Sequence, residues 1–271
     1  MFNVGMRIKG FLKTPKGKAG LGLLASVGVI AIAAFAALPA FGVTLKVLGA
    51  AAPATPSCPL SKGSSQCFVE AKVTGFQLAI DGKKSPFVAP WKAKVVAWSI
   101  KLGKPSAKAE RCLSEGCDIG ADSRFEGFGG PAKARLSILK QINKSISNVK
   151  QYYVLVKQSP VEELKPLFGS TTTFTLHQPL LINKGYVAAL TIPTWAPVFV
   201  GALPSGNSWR ASRNPSQAKG GCTVGSGASA SANVKAGSPV QKLGRQRRFT
   251  CSYKTNRLLY SASIVKAPGG F

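Results

Sequence analysis

Ala93-Lys94-Val95-Val96-Ala97-Trp98-Ser99-Ile100-Lys101-Leu102 alternates between apolar and polar positions. Val96, Trp98, Ile100 and Leu102 fall on one side and Ser99 and Lys101 on the other, the period-two pattern of a strand with one covered face. Trp98 lies on the apolar side and reads as a core residue. The pattern is already present upstream, where Phe76, Leu78 and Ile80 share a face of Val73–Ile80 and Asp81-Gly82 supplies the following turn.

Working outward, Ala134–Ile142 reads as a strand with Leu136 and Ile138 inward. Gln151–Gln158 follows, with Tyr152, Val154 and Val156 opposite Tyr153, Leu155 and Lys157. Val161–Phe168 reads as a short helical turn, and Thr171–Leu176 as a strand with Phe174 and Leu176 inward. Tyr186–Ile192 is apolar throughout, as a central strand is, and Pro193 and Pro197 are expected to end it because proline cannot donate to a ladder. Strands centred on Thr223, Phe249 and Ser261 complete the set. Short strands punctuated by Gly and Pro imply an all-β fold, a β-sandwich. A jelly-roll-like arrangement is favoured over an immunoglobulin one. The sandwich region is about twice the ~100 residues of an immunoglobulin domain, and the Cys…Trp…Cys pattern is missing.

Before this region stands Leu21–Leu45, 25 residues without a charge. As a helix it would be roughly 37 Å long, against about 30 Å of bilayer hydrocarbon. Arg7, Lys9, Lys13, Lys16 and Lys18 precede it with no acid, which keeps the N-terminus cytoplasmic and sends the rest outside. The expected division is therefore a basic cytoplasmic segment 1–20, a transmembrane or signal-anchor helix 21–45, a flexible Ala/Pro/Ser linker 46–65 and an extracytoplasmic β-sandwich domain 66–271. The alternative to an uncleaved anchor is a secretory signal cut after Ala52 or Ala54, which would release the domain.

All six cysteines lie beyond the apolar segment, in even number, as disulfides of an oxidising compartment do. Pairing of sequence neighbours predicts Cys58–Cys67, Cys112–Cys117 and Cys222–Cys251. Zinc is disfavoured because the chain has one histidine, His177. Asp118 and Asp122 in the Cys-containing insertion Lys104–Pro131 lack the alternating ligands of a calcium loop. No metal or other cofactor is expected.

Thirty of the 36 Lys and Arg follow Ala50 together with all nine acids, so the outer part carries 30 minus 9, or +21. Such a field attracts anionic partners. Trp209-Arg210-Ala211-Ser212-Arg213 and Arg245-Gln246-Arg247-Arg248-Phe249 set aromatic rings beside guanidiniums. Trp209, Arg210, Arg213, Arg245, Arg247 and Arg248 are accordingly the candidate binding residues, since Arg forks chelate carboxylate and phosphate while ring faces stack on sugars. The competing reading makes Trp209 a core plug and the arginines solvated turn residues. No catalytic residue is assigned. There is no Gly-x-Ser-x-Gly elbow, His177 is expected at a solvent-facing strand end, and Glu162 and Glu163 are adjacent rather than paired across a cleft.

Lys184-Gly185-Tyr186-Val187-Ala188-Ala189-Leu190-Thr191-Ile192-Pro193-Thr194-Trp195, together with Thr173–Leu176, Val96–Ser99 and Trp209–Arg213, resembles a group of exported, membrane-anchored proteins of high-GC Gram-positive actinobacteria. The resemblance spans about residues 73–254. It implies export and carries no activity. Lys184–Leu190 is more loosely similar to galactose-binding-like jelly rolls, although Tyr186 stands where those often have Asp. These readings converge on a non-catalytic binding or structural module at the bacterial surface. The membrane is its partner through the N-terminal helix, an anionic wall polymer or glycan is its ligand, and no specific nucleic acid is expected. An extracellular carbohydrate-active enzyme is the alternative, and a general polyanion or nucleic-acid binder the second.

Overall fold

A computed structural model describes residues 45–59, 67–120, 123–142, 151–213, 222 and 241–266. The basic N-terminus, the apolar segment up to residue 44 and the strand expected around Thr223 lie outside the described residues. Among the described residues no helix is long and apolar enough to cross a membrane.

The described residues are mostly β, built from two larger antiparallel sheets and two small two-stranded ones. In chain order the first strands are β1 (Leu45–Leu48), β2 (Glu70–Ile80), β3 (Lys83–Lys84) and β4 (Ala93–Lys101). An insertion holds helix α1 (Ala107–Glu115) and the hairpin β5 (Cys117–Gly120) and β6 (Ser123–Phe125). Then come β7 (Lys133–Gln141), β8 (Tyr152–Gln158), β9 (Glu162–Glu163), β10 (Thr171–Ile182) and β11 (Val187–Ala196). The last are β12 (Phe199–Val200), β13 (Ser208–Ala211), β14 (Gln246–Arg248), β15 (Cys251–Lys254), β16 (Arg257–Leu258) and β17 (Tyr260–Lys266). The smaller sheet runs β1-β17-β4-β10, and the larger runs β14-β8-β7-β11-β2-β13-β15 with β3 and β9 attached.

The larger sheet curls. Its two ends, β14 and β15, are nearly consecutive in the chain, so one stretch pairs with β8 through Gln246–Arg248 and with β13 through Cys251–Lys254. The curl brings non-adjacent strands face to face. Phe76 of β2 meets Tyr153 of β8 at 5.2 Å and Phe249 at 5.8 Å between ring centroids, and Tyr153 meets Phe249 at 5.1 Å. Between them and the neighbouring strands runs a buried hydroxyl row, Thr74 to Thr191 at 2.9 Å and Thr191 to Ser137 at 2.7 Å. Each hydroxyl satisfies the next, which removes the cost of burying it.

The smaller sheet lies on the convex side of β2 and β11. Phe87 stacks on Tyr260 at 4.2 Å, and the Tyr260 hydroxyl donates to the Ala188 carbonyl at 3.1 Å. Burial pushes that hydroxyl well above its ordinary pKa, so it keeps the proton it donates.

Local departures from the expected alternation trace to bulges. In β4 the buried set is Ala93, Val95, Trp98, Ile100, followed by Leu102, and Val96 is only half-buried. The β4–β17 register passes from Ala97↔Ser263 to Val95↔Ile264, and the extra residue reverses the facing of the strand below Ala97. β2 is covered on both sides, so Val73, Gly75 and Gln77 are buried as well as Phe76 and Ile80, while Leu78 is half-buried. β11 does not stop at Pro193. Its ladder with β2 skips between Ile192↔Val73 and Trp195↔Ala71, opposite Lys72 at φ 45°, and the irregularity accommodates the missing N–H.

The described part of the region expected as a linker, residues 46–59, makes backbone pairs with the sheets. Leu45, placed at the end of the apolar helix, opens β1, and Lys46–Leu48 pair with Ser263 and its neighbours in β17. Ser57 N–H donates to Phe199 O at 2.8 Å, Lys104 N–H to Cys58 O at 2.8 Å, and Arg257 to Ala52 O at 2.7 Å. An Ala/Pro/Ser composition has little side chain to bury, but its backbone groups pair as well as any other. The three disulfides are Cys58–Cys67, Cys112–Cys117 and Cys222–Cys251, the pairings expected from spacing. They are compatible with an extracytoplasmic location. In the insertion, Ser106 caps α1 by accepting from Ala109 N–H at 3.2 Å, and Trp195 Nε1 donates to Gly130 O at 3.1 Å, tying the insertion to the core.

Candidate functional site

Strand alternation divides the first candidate cluster. Trp209, Ala211 and Arg213 face one side of β13 and its extension, and Arg210 and Ser212 face the other. Trp209 has 0 % exposure and lies on Tyr253, with ring centroids 4.7 Å apart. It is a core residue and presents no face to a ligand. Arg213 is buried too. It pairs with Glu70 at 3.1 Å and donates to Ala71 O at 3.1 Å and to the Tyr253 hydroxyl at 3.3 Å. Burial works against the Arg213 charge, but Tyr253 and Glu70 outweigh it and hold its pKa above the ordinary value. These two expectations are corrected: both residues stabilise the interior, because their side of the strand is the covered one.

Arg210 stands opposite Phe76 in the β13–β2 register, on the concave side of the curl. There it acts on the Tyr153 hydroxyl, whose pKa is raised by burial and partly restored by Arg210. The phenol therefore stays protonated at neutral pH. Arg247, opposite Tyr153 in the β14–β8 register, donates from Nε to Ser212 O at 3.2 Å. Arg247 is half-buried, and burial lowers its pKa. Arg248 is half-buried and Arg245 exposed. The fold thus brings Arg210 and Arg247 together around Ser212 and Tyr153, with Arg245 just before β14 and Arg248 its last residue, on the opposite side of the strand from Arg247. Phe249, expected as an aromatic partner, is buried in the Phe76–Tyr153 cluster.

Sequence reading missed Arg135 and Tyr153. Arg135 is half-buried on β7, with its pKa lowered by burial, next to Thr191 in the ladder. Its alternation with buried Leu136 hid it, because the face it occupies becomes concave only when the sheet curls.

The wall has one sign of charge. β7, β8, β13, β14 and β15 are neighbours around the curl, and they contain eight Lys or Arg and no Asp or Glu. The acids lie elsewhere. Glu110, Glu115, Asp118 and Glu126 belong to the insertion, Glu162 and Glu163 to β9, which pairs with the Lys133–Ala134 end of β7, Asp81 pairs with Arg257 and Glu70 with Arg213. Among the described residues Arg210, Arg245 and Arg248 take part in no ion pair. Half-buried guanidiniums are less screened than fully solvated ones and are held in place by the sheet, which suits them to phosphate or carboxylate oxygens. No group of three or more His, Cys, Asp or Glu side chains able to hold a metal occurs among the described residues. Comparison with models of protein families, with characterised proteins and with solved structures finds no match to this chain.

Proposed function

We propose that this chain is a non-catalytic binding module of the bacterial cell surface and that the wall of β7, β8, β13, β14 and β15 engages an anionic wall polymer. The observation that carries the reading is the absence of any carboxylate from five neighbouring strands that hold eight basic residues. A hydrolytic reading calls for two carboxyl groups about 5–9 Å apart, which this wall does not supply. Of the earlier set, Arg210 and Arg247 share the side of Tyr153 and are the ligand-facing pair, while Arg248, next along β14, and Arg245, just before it, flank them. Export fits the disulfides, the uncharged run Leu21–Leu45 and its basic leader. That run holds the domain at the membrane, or its cleavage releases it. The jelly-roll and actinobacterial resemblances belong to the same proposal.

Two experiments test it. Replacing Arg210, Arg247 and Arg248 together with Ala removes three of 36 basic residues, so a diffuse field would barely change. A wall of fixed guanidiniums is expected to lose about 10- to 100-fold in teichoic-acid or heparin affinity at about 0.15 M salt, from three partly exposed charge-assisted contacts. Unchanged affinity in a variant with wild-type circular dichroism overturns the wall. Location is tested by adding protease to intact spheroplasts. Digestion of the domain is expected, and survival of the full-length chain while an external control is destroyed would place it inside.

A further inference from the structure

The edge of the smaller sheet does not follow its neighbour. β10 pairs with β4 as far as Thr175↔Ala97 and resumes at Leu180↔Val95, so Leu176, His177, Gln178 and Pro179 stand against Val96 alone. The arch opens a cleft of about 540 Å³ between β10 and the β8–β9 connection. This falls within the roughly 300–1,000 Å³ of small-molecule sites.

The cleft's chemistry is the reverse of the surface around it. In a chain of net charge +27 its lining contains no Lys or Arg among the described residues, and Glu162 is the one formal charge among them. Phe174, Leu176 and Leu180 form the apolar part. Phe174 is half-buried and braced from behind by Trp98, with ring centroids 4.6 Å apart. Gln158, Glu162, His177 and Gln178 provide the polar groups, rich in acceptors. Gln158 Oε1 is buried and has no hydrogen-bond partner. A buried acceptor without a donor is costly, and rotation of the amide toward the cleft would let a ligand hydroxyl satisfy it.

We infer that this cleft binds a neutral oligosaccharide. A pyranose has an apolar C–H face, which suits a fixed phenyl ring, and a rim of hydroxyl donors, which suits a carboxylate and two carboxamides. An anionic polymer meets no cation there and one like charge. An apolar peptide would leave Gln158, Gln178 and Glu162 desolvated and unpaired. His177, the only histidine of the chain, lies on the arch as a lining residue. A single carboxylate falls short of the pair that glycoside hydrolysis requires, so the cleft holds the sugar without cleaving it. The cleft shares Gln158 of β8 with the strands of the wall, but none of the wall's arginines or lysines is among its described lining residues.

The test uses the full chain in a sugar-free zwitterionic detergent, titrated calorimetrically with the hexamers of cellulose, amylose, xylan and chitin. Saturable binding of at least one hexamer is expected. Changing about 0.05 M salt to 0.5 M should leave that affinity within about twofold, where phosphate-directed binding would fall by orders of magnitude. Phe174→Ala and, separately, Glu162→Gln with Gln178→Ala should each weaken it about tenfold or more, or about 1.4 kcal/mol. The second variant changes only side chains at the cleft rim, so it retains the test if Phe174→Ala unfolds. The Arg210, Arg247 and Arg248 triple variant should bind the hexamer normally. Failure of all four hexamers to saturate at about 10 mM, where a Kd near 1 mM corresponds to about 4 kcal/mol, overturns the inference. So does a hexamer affinity that the Glu162 and Gln178 variant leaves intact. Loss of polyanion binding with hexamer binding retained would bear on the wall alone.

Discussion

Arg213→Met is expected to destabilise the protein by about 3–5 kcal/mol, the cost of leaving one member of a buried ion pair without its partner. Glu70 has 0 % exposure and its carboxylate is held by Arg213 at 3.1 Å. Methionine fills much of the guanidinium's volume but supplies no donor to Glu70, to Ala71 O or to the Tyr253 hydroxyl. For a domain of this size the loss corresponds to a fall in Tm of about 10 °C. The pair itself is not a net source of stability in the same measure, because burying both charges is costly. Glu70→Leu with Arg213→Met should therefore recover a large part of the loss. Urea unfolding of the two variants checks this. A single variant within about 1 kcal/mol of the parent would show Arg213 to be a surface residue, as the sequence cluster first suggested.

Trp209→Ala carries a comparable penalty, about 3–5 kcal/mol for emptying a fully buried aromatic site. The site is specific to the indole. A Cβ built on Gly75 would lie 2.6 Å from Trp209 Cζ3, so glycine in β2 is what allows the ring to lie against the strand. Tyr253 closes the other face. Trp209 Nε1 is buried without a hydrogen-bond partner. Trp209→Phe deletes that unpaired donor along with part of the ring, and is expected to cost about 1–2 kcal/mol, well below the Ala variant. Thermal unfolding orders the three proteins. Polyanion affinity of Trp209→Phe should match the parent, since the indole contacts no ligand. A loss of affinity with stability retained would return Trp209 to the binding surface.

These two residues show why the candidate cluster split. Trp209-Arg210-Ala211-Ser212-Arg213 announces a strand by alternation, and alternation puts Arg210 on one side and Arg213 on the other. Proximity in sequence suggested one patch, while period-two geometry forbids it. Arg247 joins Arg210 only because β14 and β13 meet where the curled sheet comes around on itself. That contact spans a turn of the sheet, and no local pattern encodes it.

The amino-acid order alone determined the all-β class, the positions of most long strands and the cysteine pairs. Each of these rests on short-range physics. Alternation over Ala93–Lys101 or Tyr152–Gln158 reflects side chains pointing to opposite faces, and the disulfides join residues 9, 5 and 29 apart in sequence. Only the tertiary structure decided which face is covered, and whether both are. Two-sided burial of β2, the reversal at Val95, the passage of β11 through Pro193 and the pairing of Leu45–Leu48 with β17 all depend on register with distant strands. The arch of β10 depends on it too, and with it the cleft that holds His177 and Glu162. A strand's own sequence specifies two faces. A bulge set by its partner exchanges them, and the curl of the whole sheet determines which becomes interior.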